Sequence, residues 1–213
     1  VRVTDDVHSY EEAKLRMLNG SHTAMALMGA VTGRAFIADC IAQPGIHQYV
    51  HRLMSEEVAP HLKRSDWAAY RDALIERFAN PHLRHSVHQI ATDSSLKIPQ
   101  RWPGTILSQL SCGASVDHMA FAAATWIRYA LGEDEAGQAY ALNDPQAPSI
   151  VAMAKDQKIA PQPCTDALLS RQDIWGSDLP HQAAWRKRVC DWHAVILQRG
   201  LMPALDHLLA SGH

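Results

Sequence analysis

Apolar residues recur three and four apart along almost the whole chain, and the interruptions between those runs are made by glycine, proline and helix-capping residues. That period belongs to the α-helix and not to the strand, so the chain is restricted to an all-α, multi-helix fold. With 213 residues, 47% of them hydrophobic, it carries enough apolar material for one sizeable core or two small ones. A Gly-x-Gly-x-x-Gly turn following a strand is missing, so the chain shows no dinucleotide cradle of its own.

The first helix is the clearest. Ser9 followed three residues later by Glu12 reads as a capping box, and Leu15, Leu18, Met25, Leu27 and Met28 carry a helix over residues 10–32 to Gly33. A short helix through Phe36 and Ile41 is expected to break at Pro44 and Gly45, and another is expected over 46–63, shortened by Pro60. Ser65 and Asp66 open the next, and Asn80 before Pro81 is expected to start a further one. Residues 92–104, with turn formers from Thr92 to Ser95 and prolines at 99 and 103, read as a polar loop. Ser115 caps a helix that ends at Gly132, and residues 133–148 form a polar connector at which a single domain over 1–213 could subdivide. Helices over 150–155, 166–170, 180–199 and 201–209 complete the pattern. At the start, Val1, Arg2 and Val3 alternate like the end of a strand that has lost its partners, which leads us to expect a piece of a longer protein.

Twenty basic and 22 acidic residues, interspersed, leave a net charge of −2. Such a balance produces no field that gathers nucleic acid or an anionic membrane. No apolar run approaches the ~20 residues that span a bilayer, and a cytoplasmic location is expected. Cys40, Cys112, Cys164 and Cys190 form no Cys-x-x-Cys pair, so neither a zinc site nor a disulfide framework is indicated. His47, His51, His82, His85 and His88 have spacings of three and four but no acid beside them in a metal-binding pattern; they read as solvated, with no metal.

Chemistry concentrates on the first helix. With Lys14 at zero and about 100° per residue, Glu11 falls near ~60°, His22 near ~80° and Asn19 near ~140°, so four polar groups share one arc together with Leu18. Gly20, costing roughly 1 kcal/mol in a helix interior, suggests a close approach to the backbone.

The run of Asp5, Tyr10, Lys14, Leu15, Arg16, Leu18, Asn19, Gly20, Ser21 and His22 resembles the signature of the mannitol dehydrogenase family, the polyol-specific long-chain dehydrogenases and reductases. Further similarity lies in Arg77, Phe78, Asn80 and Pro81, in Gln89 and Ile90, and in Asp93, Ser95, Lys97, Pro99, Gln100 and Arg101. It continues more weakly in Asp144-Pro145 and Asp178-Leu179-Pro180. The resemblance implies an enzyme of two domains: an N-terminal Rossmann domain that holds NAD or NADP, and a helical C-terminal domain, to which this chain corresponds, that supplies most substrate contacts. It further implies that Lys14 is the general acid or base, that Asn19 stabilises the developing oxyanion, that His22 orients the substrate and that Glu11 relays protons. Lys97, Arg101 and Gln89 are candidate substrate contacts, while cofactor-binding residues in this chain are unknown. Two departures stand out: Ser94 replaces a usual glycine, and Gln89 stands where some polyol-oxidising members have arginine.

The residue types suit that chemistry. Oxidising a secondary alcohol needs a base within hydrogen-bond reach of the hydroxyl proton. A lysine serves only when burial in a closed cleft brings its pKa down from about 10.4. An amide N–H beside the same oxygen gains strength as charge builds there. Fructuronate–mannonate interconversion is the preferred reading, with mannitol–fructose next. A non-catalytic helical interaction module, in which Lys14 stays exposed, and a histidine-based metal protein are the competing readings.

Overall fold

The longest helical run passes through the middle of the molecule. In the computed structural model, which describes residues 7–211, α1 (Val7–Ala13), a π-helical turn (Lys14–Asn19) and α2 (Gly20–Val31) follow one another without a break. Every residue of α2 except His22 is buried, as expected of a helix that is apolar on all sides. Next come α3 (Ile37–Ile41) and α4 (Pro44–Arg52), then a second π-helical turn (Leu53–Val58) and a 3₁₀ turn (Ala59–His61). α5 (Trp67–Phe78), α6 (Val87–Ala91), α7 (Ser94–Arg101), α8 (Pro103–Ser111) and α9 (Asp117–Tyr129) follow. The last third holds α10 (Ala147–Ala154), α11 (Pro161–Leu169), α12 (Gln172–Trp175), α13 (Ala183–Arg199) and α14 (Leu201–Ala210). Among the described residues there is no strand, only isolated bridges pairing Phe36 with Ser86 and Glu133 with Ala139, and no helix is long and apolar enough to cross a membrane.

Two fully buried helices, α2 and α9, lie against each other and organise the rest: α3 and α6 pack on α2, and α13 runs along α9. The crossing over α2 is close because residue 29 is glycine. A Cβ there would fall 2.6 Å from both Cys40 Sγ and Val87 Cγ1, far inside contact distance. The irregular stretch after α9 is tied back by Arg128, whose guanidinium donates to the carbonyls of Glu133 at 2.8 Å and Asp134 at 3.1 Å. One hydrophobic core extends across it, joining Phe121 and Trp126 of α9 to Trp185 and Val189 of α13.

Several local expectations need correction. Ser9 lies buried inside α1 and not at its cap, because the helix has already begun at Val7. Pro44 and Gly45 open α4 where a break was expected, since a proline in the first turn gives up only an N–H that has no helical partner. Asn80 and Pro81 start no helix. The Asn80 side chain accepts from the His82 N–H at 3.0 Å in a local turn, and the Phe36–Ser86 bridge holds the chain extended until Val87. The expected loop over 92–104 is mostly helix, α7 running into α8 at Trp102. Its start is capped from a distance, by Asp144, which accepts from the Ser95 N–H at 2.8 Å and the Ser95 hydroxyl at 2.6 Å. A cap supplied 49 residues away has no local signature. The strand-like opening at Val1–Val3 and the Asp5 of the family-like run lie outside the described residues.

Candidate active site

The helical wheel drawn at 100° per residue does not apply between Lys14 and Asn19, because these six residues form a π-helical turn in which the Gly20 N–H bonds to the Leu15 carbonyl, five residues back. In such a turn residues five apart take the relation that residues four apart have in an α-helix. Asn19 therefore returns to the side of Lys14, where an α-helix would have left it well round the cylinder. His22, three residues further in regular α-helix, falls next to Asn19 on that side. The spacing lysine, four residues, asparagine, two residues, histidine thus becomes one face of a locally widened helix.

Within this chain the two ends of the face differ. Glu11 and Lys14 are exposed; Glu11 borders a small hollow of 210 Å³ with His8, Leu15, Arg16 and Gln100. Asn19 and His22 are half-buried. The His22 ring stacks on Phe78 with centroids 5.0 Å apart and meets His85 at 5.6 Å. Its Nε2 is buried and has no hydrogen-bond partner among the described residues. Burial, then the charges of His85, Arg101, Arg77 and Lys97, push its pKa down to about 4. The imidazole is therefore neutral at physiological pH, with one nitrogen unspent beside several cations.

Lys97 and Arg101 reach this region from α7, one turn apart. Asp93, just ahead of α7, is the one non-glycine residue with positive φ among the described residues (φ 54°), and its N–H donates to Asn143 O at 2.9 Å. Together with the Asp144 cap this fixes the start of α7 and so the placement of Lys97. Lys97 Nζ donates to the Ile90 carbonyl at 3.1 Å; burial and then Arg101 lower its pKa, with Asp93 and Asp144 opposing. Arg101 Nη1 donates to Thr23 Oγ1 at 2.5 Å and to the Asn19 carbonyl at 3.3 Å. Asn19, His22, Lys97 and Arg101 are thus brought together, whereas Gln89 is exposed on α6.

Arg77 and His85 belong to the same group by their effect on His22, although sequence reasoning placed neither in the site. Arg77 stood in the family-like run and was a usable signal. His85 was grouped with solvated helix histidines; it sits instead in the extended segment before α6, half-buried. The close approach expected at Gly20 is made by Trp102, whose Nε1 donates to the Gly20 carbonyl at 3.1 Å. A Cβ at Gly20 would meet Trp102 Cδ1 at 3.6 Å, ordinary contact, so Gly29 and not Gly20 is the glycine without room. Among the described residues no three of His, Cys, Asp and Glu converge as metal ligands.

Residues 6–195 match the family described as the mannitol dehydrogenase C-terminal domain. The chain is 39% identical over 202 residues to D-mannonate oxidoreductase of Escherichia coli K12, covering 92% of this chain and 40% of that protein. It is 35% identical over 185 residues to mannitol 2-dehydrogenase of Phaeosphaeria nodorum, covering 84% and 31%. Among solved structures, Pseudomonas fluorescens mannitol 2-dehydrogenase in ternary complex with NAD and D-mannitol superimposes with a TM-score of 0.91 at 28% identity, over 97% of this chain and 42% of that one. The chain thus spans about two fifths of the length of such relatives.

Proposed function

The chain belongs to the mannitol dehydrogenase family as its C-terminal domain, and from that premise we propose that it is the substrate-binding and catalytic part of an NAD- or NADP-dependent oxidoreductase. The reaction interconverts a secondary alcohol of a polyol or aldonate with the matching ketose or keto-uronate, and we favour mannonate and fructuronate over mannitol and fructose. The observation that carries this reading is the buried, unpartnered Nε2 of His22 among Arg77, His85, Lys97 and Arg101. A neutral imidazole nitrogen bonds a substrate hydroxyl, and cations suit the carboxylate of a sugar acid better than an uncharged polyol. Similarity to a D-mannonate oxidoreductase points the same way.

Each residue then has a task. Lys14 takes the hydroxyl proton during oxidation and returns it during reduction. The Asn19 amide donates to the same oxygen as it becomes alkoxide-like, and His22 fixes the neighbouring hydroxyl. Glu11, exposed one turn before Lys14, passes the proton to solvent. Lys97 and Arg101 hold the acid end of the substrate, and Gln89, exposed on α6, is a further candidate contact. Among the described residues no strand leads into a glycine-rich turn, so this chain has no cradle for a pyrophosphate, and we assign the nucleotide to a Rossmann domain of the same protein. A nicotinamide nucleotide bound there would supply the hydride acceptor for oxidation and the donor for reduction. Closure of that domain over the exposed Lys14 is what takes the ammonium out of water.

Exposure of Lys14 on this chain equally fits a non-catalytic helical interaction module. The His22 nitrogen weighs against that module through its surroundings, since of the buried polar atoms without a partner among the described residues it is the one set among Arg77, His85, Lys97 and Arg101. The direct test is turnover by the complete protein. Higher kcat/KM with mannonate than with mannitol is expected, and the absence of oxidation of either with NAD or NADP rejects the reading.

A further inference from the structure

The exit of the π-helical turn is bonded from outside its own helix. Inside a regular helix, backbone carbonyls are occupied by the N–H four residues on and face along the axis. Here the carbonyls of Asn19 and Gly20 accept side-chain donors from the far end of α7, Arg101 Nη1 at 3.3 Å and Trp102 Nε1 at 3.1 Å. Thr23 Oγ1 joins the same knot: it donates to Asn19 O at 3.0 Å and accepts from Arg101 Nη1 at 2.5 Å. Helix carbonyls elsewhere in the molecule also accept side-chain donors, as Ile127 does from Gln157 Nε2 at 3.0 Å, but here two successive ones do so where the π-helical turn passes into α2. The exit of the turn, which sets Asn19 and His22 on the side of Lys14, is thus tied to residues 82 positions away in sequence.

We propose that Arg101 and Thr23 are positioning residues, which act on the reaction by fixing the exit of the π-helical turn through the Asn19 carbonyl. The proposal rests on the catalytic reading given above, and it goes beyond the charge that Arg101 contributes to the substrate site. It predicts a common consequence for two residues of different chemistry. Loss of either lets the turn relax toward α-helix, which swings the Asn19 amide away from the oxygen shared with Lys14. A displacement of about 1 Å in such a constellation costs up to ~10²-fold in rate.

The test uses the complete protein and four variants: Arg101→Ala, Arg101→Lys, the isosteric Thr23→Val and Lys14→Ala. Thr23→Val and Arg101→Ala are expected to lower kcat about 10- to 100-fold for mannonate and mannitol alike; Thr23→Val should change KM less than about threefold for either substrate with thermal unfolding close to the parent, whereas Arg101→Ala should in addition raise KM for mannonate. Guanidinium added to Arg101→Ala should restore part of kcat. If Arg101→Ala does not fold, Arg101→Lys and Thr23→Val decide the matter. If Thr23→Val keeps full kcat, or if the arginine variants raise KM for mannonate while kcat with both substrates stays at the parental value, Arg101 acts only as a substrate contact and the proposal is wrong. If Lys14→Ala also keeps full activity, the catalytic reading itself has failed.

Discussion

Among the described residues there are two π-helical turns, Lys14–Asn19 and Leu53–Val58, and they place their own ionisable side chains differently. In the second, Glu57 is buried and fully engaged: its carboxylate accepts from the His118 N–H at 2.7 Å, His118 Nδ1 at 3.1 Å and the Met119 N–H at 2.9 Å. It caps the start of α9 from another helix. Around the first turn Lys14 is exposed and caps nothing; a histidine Nε2 is buried without a partner among the described residues beside each turn, His22 at the first and His118 at the second, but only His22 has Arg77, His85, Lys97 and Arg101 around it. A widened turn alone therefore says little about function. Polar groups that the fold has positioned and left unspent say more, and the two turns invite opposite perturbations.

The largest expected effect is on the first turn. Lys14→Ala in the complete protein should reduce kcat by about 10² to 10⁴, the usual share of a general acid or base, while leaving the unfolding of this domain unchanged because the side chain is exposed. A variant with the parental rate would make Lys14 an ordinary helix lysine.

Glu57→Ala should do the reverse. It strips the caps from the His118 and Met119 N–H groups, and two buried donors left unsatisfied cost about 2–5 kcal/mol together. Urea denaturation should show that loss. Burial raises the Glu57 pKa against the hydrogen bonds from His118 and Met119, so removing the charge offsets part of the cost and the lower end of the range is expected.

A pair of histidines repeats the contrast. His193 is buried, with Nδ1 2.8 Å from Thr165 Oγ1 and Nε2 2.9 Å from Gln157 Oε1, so both nitrogens are spent. Burial, then Arg128, lowers its pKa from 6.5 to about 4. The unfolded chain takes up a proton near 6.5 that the folded one refuses until about 4. Stability is therefore complete above pH 6.5 and falls as pH drops from there toward 4, by on the order of 3 kcal/mol. Denaturation midpoints that stay flat across that window would contradict it. His22 shares the direction, but substitution there should lower activity more than stability.

How much of this was legible in the sequence follows from where each interaction originates. Helix-forming runs are local, and α2, α9 and α13 appear where apolar spacing put them. Lys14, Asn19 and His22 were found because their offsets are fixed within one helix. What escaped was set largely by distant partners: α7 is capped by Asp144, the turn at 80–83 leads into a bridge between Ser86 and Phe36, and Arg101 and Trp102 bond the first turn from the end of α7. The wheel put Asn19 on one arc with Lys14 and His22 but too far round it, since spacing does not encode the π-helical turn. His85 was misjudged because its extended segment was assigned to a helix.

The smallest expected effect probes the exit of the first turn directly. Gly20 is buried, with φ −64° and ψ −51°, a conformation that alanine adopts freely, and a Cβ would meet nothing closer than 3.6 Å. Gly20→Ala should therefore stabilise the domain by about 0.4–1 kcal/mol, chiefly by restricting the unfolded chain. Gly29→Ala, with contacts of 2.6 Å to Cys40 and Val87, should instead cost about 1–3 kcal/mol. Alanine also favours the regular α-helix over other backbone states, so at residue 20 it biases the turn toward closing at the point where Trp102 holds the carbonyl. A variant that melts higher but turns over more slowly would show that the widened turn is maintained against local preference for the sake of Asn19. If Gly20→Ala gains stability with full activity, the bonds from Arg101, Trp102 and Thr23 hold the turn unaided, and glycine at that position has no catalytic reason.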